Sequence, residues 1–126
     1  MTTASAKRVF LVEDDEFLSS MLMNQLAAHN ISAERFGDGR TASEALKKDP
    51  PHLLILDLFL PDISGFEILE MIRKDEHLKD LPVLVVSNTS QVDDKERVHR
   101  LGATFLLKVL VTPQQIAEHA QKMLAA

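Results

Sequence analysis

Asp57 closes a run of four apolar residues, Leu53-Leu54-Ile55-Leu56, bounded by Pro50-Pro51 before it and by Leu60-Pro61-Asp62-Ile63-Ser64-Gly65 after it. So short a run, walled by turn residues, reads as a central strand of a parallel sheet covered on both faces. Open α/β sheets bind ligands at the carboxyl ends of such strands, which is where Asp57 falls. Three other strand ends carry Glu13-Asp14, Ser87 and Lys108, so one edge of the sheet gathers three carboxylates, a hydroxyl and an ammonium. Carboxylates converging on one cleft repel each other unless protonated or bridged by a cation, and hard oxygen donors suit Mg²⁺ or Mn²⁺ rather than zinc. A metal held there attracts a phosphoryl group. Lys108 as a point charge and Ser87 as a short donor could hold its remaining oxygens, with Asp57 as the acceptor nucleophile of aspartyl-phosphate chemistry.

The elements that must position these groups alternate along the chain. Val9 to Val12 is a short apolar strand, and after Glu13-Asp14-Asp15 the residues Phe17, Leu18, Met21, Leu22 and Leu26 recur at helical spacing. Ile31 to Phe36 reads as a second strand, Gly37-Asp38-Gly39 as a turn, and Arg40 to Lys48 as a helix with an Ala42, Ala45, Leu46 stripe, stopped by the two prolines. After the Asp57 strand, Ser64 and Glu67 are spaced as a capping box for a helix through Ile72. Leu81 to Val86 is a fourth strand ending in Ser87. A helix from Ser90 follows, thinly apolar with Val92, Val98 and Leu101, and it looks solvated or partner-facing. Gly102 fits a helix C′ position, Ala103 to Leu107 a fifth strand, and Thr112-Pro113-Gln114-Gln115 an N-cap, N1 proline and capping-box glutamine. Five strands alternating with five helices imply a parallel α/β sheet with helices on both faces.

The bulk composition narrows the function classes. With 126 residues the chain makes one domain, expected over residues 7–126 behind a flexible tail over residues 1–6. A net charge of -5 argues against direct nucleic-acid or anionic-membrane binding, which needs a basic surplus. The absence of cysteine removes disulfides, thiolate nucleophiles and cysteine zinc sites, and the sequence has neither a signal peptide nor a transmembrane run, so a cytoplasmic protein is expected. The five histidines show no metal spacing and read as surface residues.

The chain from Arg8 to Leu124 resembles the receiver domains of bacterial two-component response regulators, the CheY-like fold. Val12-Glu13-Asp14-Asp15 is similar to that family's acidic pair after the first strand, and Asp57 to Gly65 to its phosphoacceptor strand and loop. Ser87, Leu101-Gly102-Ala103 and Lys108 fall at the matching strand ends. The resemblance implies a doubly wound (βα)5 sheet of strand order 2-1-3-4-5. It implies that Asp57 takes a phosphoryl group from a histidine of a sensor kinase or histidine phosphotransferase. Asp14, Asp57 and the Phe59 carbonyl would bind Mg²⁺ directly, and Glu13 through water. It further implies that Ser87 moves inward on phosphorylation and Phe105 follows, repacking the face of the fourth helix, fifth strand and fifth helix toward a downstream protein target. Phe105 lacks the hydroxyl of the tyrosine often found there, so its two rotamers should differ mainly by apolar burial, roughly 1.5 to 3 kcal/mol. Such a module catalyses only its own phosphorylation and dephosphorylation, as a monomer or a weak homodimer. No output domain follows the last helix, so it would act alone or be the receiver of a longer protein.

Two positions depart from the family pattern, and a third bears on the lifetime of an acyl phosphate. Val109 follows Lys108 where proline after a cis peptide is usual, and a cis bond before a non-proline residue costs about 2.5 to 4 kcal/mol, so the bond is expected trans. Asn88 replaces a small residue after Ser87 and narrows the mouth of the site, which should slow phosphorylation by small donors. Phe59 stands where an attacking water would approach an acyl phosphate and is expected to shield it. Two other readings stay open: a degenerate receiver that docks constitutively, and a haloacid-dehalogenase-type Mg²⁺-dependent phosphohydrolase. The second expects an acid where Phe59 stands.

Overall fold

The computed structural model describes residues 7–126; the tail expected over residues 1–6 lies outside the described residues. Five strands, β1 (Arg8–Val12), β2 (Ser32–Phe36), β3 (Leu53–Leu56), β4 (Val83–Ser87) and β5 (Thr104–Leu107), form one parallel sheet in the order β2-β1-β3-β4-β5. The helices are α1 (Glu16–Ala28), α2 (Gly39–Lys48), α3 (Gly65–Lys74), α4 (Val92–Arg100) and α5 (Pro113–Ala125). A short 3₁₀ turn over Lys108–Leu110, which periodicity did not reveal, joins β5 to α5.

The two-residue period of the strands sorts the core into two layers. Val9 and Leu11 of β1, Leu53 and Ile55 of β3, and Leu84 and Val86 of β4 pack against Leu22 and Leu26 of α1 and Ile116, Ala117 and Ala120 of α5. The alternate residues, Phe10, Val12, Leu54, Leu56, Val83 and Val85, pack against α2, α3 and Val98 of α4. Because β3 and β4 are buried on both faces, neither shows the alternation of a half-exposed strand.

Several element ends differ from the sequence expectation, each for a local reason. β4 begins at Val83 because the Leu81 N–H bonds the Leu78 carbonyl, the Leu81 carbonyl accepts from Arg73 Nη1, and Pro82 has no N–H to give. β2 begins at Ser32 because the Ile31 N–H closes α1 on Leu26 O, with Asn30 left-handed at φ 61°. Helix α2 begins at Gly39, with Asp38 accepting from the Thr41 N–H. Helix α4 begins at Val92 rather than Ser90; the buried Thr89 Oγ1 accepts from the Gln91 N–H and donates to Asp94 Oδ2. The Ser64–Glu67 capping box does not form: Ser64 Oγ accepts from the Phe66 N–H instead, while the Glu67 N–H bonds the Ser64 carbonyl. At α5 the box is complete in both directions, between Thr112 and Gln115. Gly102 takes φ 71° at the C′ position of α4, and the Ala103 N–H returns to Val98 O.

Candidate functional site

Parallel pairing in register brings the carboxyl ends of β1, β3 and β4 to one edge. Val12 lies beside Leu56 and Leu56 beside Val85, so the residues just beyond, Glu13 and Asp57, emerge together. At the next pair of strands Ser87 stands beside Leu107, which puts Lys108 one residue past the edge. Asp57 is 5% exposed and Glu13 4%, while Asp14 is exposed.

Both oxygens of Asp57 are engaged. Ser87 Oγ donates to Oδ1 at 2.8 Å, as does the Phe59 N–H at 3.1 Å, and Lys108 Nζ donates to Oδ2 at 2.7 Å. The same ammonium lies 2.8 Å from Glu13 Oε1, and the Asp15 N–H donates to Glu13 Oε2 at 3.1 Å. Burial pushes the Glu13 carboxyl above its ordinary range, against the hydrogen bonds from Lys108 and Asp15. Burial by itself would lower the Lys108 ammonium, but its bonds to Asp57 and Glu13 outweigh that and raise it. Both directions hold together because the ammonium bonds two carboxylates, whereas Glu13, with its own burial against it, bonds one ammonium and faces the Asp57 carboxylate, whose charge raises it further.

Carboxylate oxygens of Glu13, Asp14 and Asp57 lie within 4.8 Å of one another. An all-oxygen set with one exposed member, open to water, fits a hard divalent cation such as Mg²⁺, which keeps several waters of its own.

Sequence reasoning missed a contributor to this geometry. Arg35, on β2, donates from Nε to the Glu13 carbonyl at 3.0 Å and from Nη2 to the Asp14 carbonyl at 3.1 Å, holding the acidic loop from behind. Ser19 Oγ of α1 donates to the same Glu13 carbonyl at 3.4 Å, and Asp15 caps α1 through the Leu18 N–H. The one sequence signal was an arginine next to the buried Phe36 at the end of a strand.

The remaining expected residues are placed as follows. Phe105 is partly buried against the α2–α4 layer, with Lys95 Nζ 5.8 Å from its ring centroid. Phe59 is 56% exposed beside the site. The Lys108–Val109 peptide is trans, as expected.

The response regulator receiver domain model matches residues 9–121, nearly the whole chain. The chain belongs to this family. The receiver is 28% identical over 111 residues to the polar-differentiation response regulator DivK of Brucella ovis, covering 87% of this chain and 90% of that one. Among solved structures it is similar to a putative response regulator from Chloroflexus aurantiacus (25% identity, TM-score 0.86, 97% and 100% of the two chains). It is also similar to the phosphorylated cyanobacterial phytochrome response regulator RcpA (27% identity, TM-score 0.83, 97% and 96%). These are signalling proteins of two-component systems rather than enzymes with an external substrate, and receivers generally bind Mg²⁺. No described helix of this receiver is long and apolar enough to cross a membrane.

Proposed function

We propose that Asp57 accepts a phosphoryl group from a phosphohistidine of a sensor kinase or phosphotransferase, and that the change is read out by a partner protein in the cytoplasm. The receiver unit is taken as residues 7–126. The observation that carries this reading is the buried Asp57 carboxylate at the sheet edge, held by Ser87 on one oxygen and Lys108 on the other, with Glu13 and Asp14 alongside. In the transfer a carboxylate oxygen attacks phosphorus as the P–N bond of the donor breaks, and the imidazole leaves with the electron pair. Asp14, Asp57 and the Phe59 carbonyl would hold Mg²⁺ directly and Glu13 through water; the ion, when bound, neutralises charge developing on the phosphoryl oxygens. Lys108 supplies the fixed positive charge on the other side, and Ser87 shifts its hydroxyl from Asp57 to a phosphoryl oxygen. Phe105 then follows Ser87 and repacks the face of α4, β5 and α5. An attacking water meets the ring of Phe59.

The donor is read as docking on α1 and the 3₁₀ turn. Phe17 and Met21 of α1 and Val109 and Leu110 of the turn after Lys108 are large apolar side chains left in solvent, and Met21 shares a groove with Pro113. A Leu110→Glu variant should then lose transfer from a phosphohistidine donor while keeping uptake from acetyl phosphate.

The deciding experiment is intact mass after incubation with Mg²⁺ and acetyl phosphate or phosphoramidate, beside Asp57→Asn and an EDTA control. One added phosphoryl group, absent in both controls, is expected. No adduct, together with no response to beryllofluoride and Mg²⁺, would replace this reading with that of a degenerate receiver docking constitutively.

A further inference from the structure

The two departures flanking the phosphoacceptor site, Asn88 and Val109, meet each other: the Val109 N–H donates to Asn88 Oδ1 at 3.0 Å. A proline in the second position has no N–H and could not make this bond, and a small aliphatic residue in the first could not accept it. The bond completes a ring. From Asp57 it runs through the Ser87 hydroxyl, one peptide to Asn88, across the hydrogen bond to Val109, one peptide to Lys108, and back through the ammonium to the other oxygen of Asp57. Without it, Lys108 would sit at the start of a short 3₁₀ turn whose other two residues, Val109 and Leu110, are 71% and 74% exposed and so have little packing to fix them.

We propose that Asn88 is a positioning residue for Lys108, its side-chain carbonyl holding the trans Lys108–Val109 turn so that the ammonium stays on Asp57. The inference rests on the reading of Asp57 as phosphoacceptor. The clasp fixes the backbone from which the ammonium reaches Asp57, at the strand end beside the one that carries Ser87. The effect of Asn88 is therefore opposite in sign to that of an obstruction at the mouth of the site. Removing an obstruction speeds phosphorylation, whereas removing the clasp slows it.

The test combines two measurements on wild type, Asn88→Ala, Val109→Pro and the double variant. Amide hydrogen exchange at Val109 in the unphosphorylated protein is expected to accelerate about 10-fold or more in Asn88→Ala, since the N–H loses its acceptor. The rate of phosphorylation by phosphoramidate is expected to fall about 2- to 10-fold in each single variant, the size of one neutral hydrogen bond, with the double variant no slower than the worse single. Because any widening of the mouth by Asn88→Ala is present in both backgrounds, the cycle cancels it. Unchanged exchange at Val109, a faster Asn88→Ala, or effects that multiply independently would overturn the assignment while leaving the phosphoacceptor reading intact. Failure of the wild type itself to take up a phosphoryl group overturns that reading, and this assignment with it.

Discussion

Replacing Lys108 by methionine keeps most of the aliphatic stem and deletes only the charge, which isolates what the ammonium does. In the wild type it lies 2.7 Å from Asp57 and 2.8 Å from Glu13, with its side chain 18% exposed and both carboxylates almost wholly buried. Removing one member of a buried ion pair costs about 3 to 5 kcal/mol, because the other charge is left without compensation. Here water can reach the site through the exposed side, so the loss at about pH 7 should be nearer 2 to 3 kcal/mol.

The pH dependence separates this from lost packing. Burial already holds the Glu13 carboxyl above its ordinary range, and without Lys108 it rises further. An acid whose folded pKa is raised binds its proton more readily folded than unfolded, so the penalty sets in as pH rises from the unfolded value, about 4.3, toward the folded one. The gap between variant and wild type should therefore shrink to about 1 kcal/mol or less near pH 5. Millimolar Mg²⁺ at neutral pH should narrow it as well by supplying the missing positive charge. Urea unfolding followed by far-ultraviolet circular dichroism is the assay, since the chain has neither Trp nor Tyr for fluorescence. An equal gap at both pH values, indifferent to Mg²⁺, would refute the electrostatic account.

Gly65→Ala should cost about 3 kcal/mol and slow phosphorylation, because the new Cβ would fall on the Asp57 carbonyl oxygen and 2.7 Å from Leu58 Cα, both backbone. Gly39→Ala puts its Cβ on Ile63 Cγ1, part of a stiff β-branched stem, and 3.1 Å from the buried Ile68 Cδ1, and should cost about 1 to 3 kcal/mol in the same urea assay. Asp62 accepts from the Gly39 N–H at 2.8 Å and the Arg40 N–H at 2.9 Å, and these bonds, Gly39 first, lower its carboxyl from 3.8 to about 2. Its contribution is present above the higher value and is lost as pH falls through the lower, so Asp62→Asn should flatten the acid end of a stability-against-pH curve between those two values. Phe59→Asn should speed decay of the aspartyl phosphate severalfold at unchanged Mg²⁺; an unaltered decay rate would remove the shielding role from Phe59.

What the sequence made legible follows from locality. The Asp57 strand, the acidic pair after β1, Ser87 and Lys108 could be placed because each ends a short apolar run, and parallel topology sends all such ends to one edge. Helix ends set by their own first turn, as at Thr112, were equally readable. Arg35 was not, because its partners are backbone carbonyls 21 and 22 residues away, and nothing in the type or spacing of those residues marks them as acceptors. The start of β4 was misplaced for a similar reason: Arg73, on α3, takes the carbonyl of Leu81 out of the sheet.

Asn88 and Val109 show how single departures mislead when read one at a time. Taken separately, a polar side chain at the mouth and a missing proline both argue for an impaired site, and both feed the degenerate reading. Taken as a pair 3.0 Å apart, they exchange one constraint for another: a proline ring limits the chain by its own geometry, and here a hydrogen bond between two loops does so from outside. The ammonium it serves has more to do than in a simple ion pair, since three carboxylates converge on the site and Lys108 bonds two of them. That leaves two negative charges in excess, the charge a divalent cation neutralises. A lysine free to wander would leave the buried Asp57 and Glu13 facing each other uncompensated, at a cost of up to about 2 to 3 kcal/mol, that of removing the ammonium outright. Fixing its backbone therefore bears on stability before phosphorylation and on catalysis during it, which is why the same hydrogen bond should register both in amide exchange and in the rate of phosphoryl uptake.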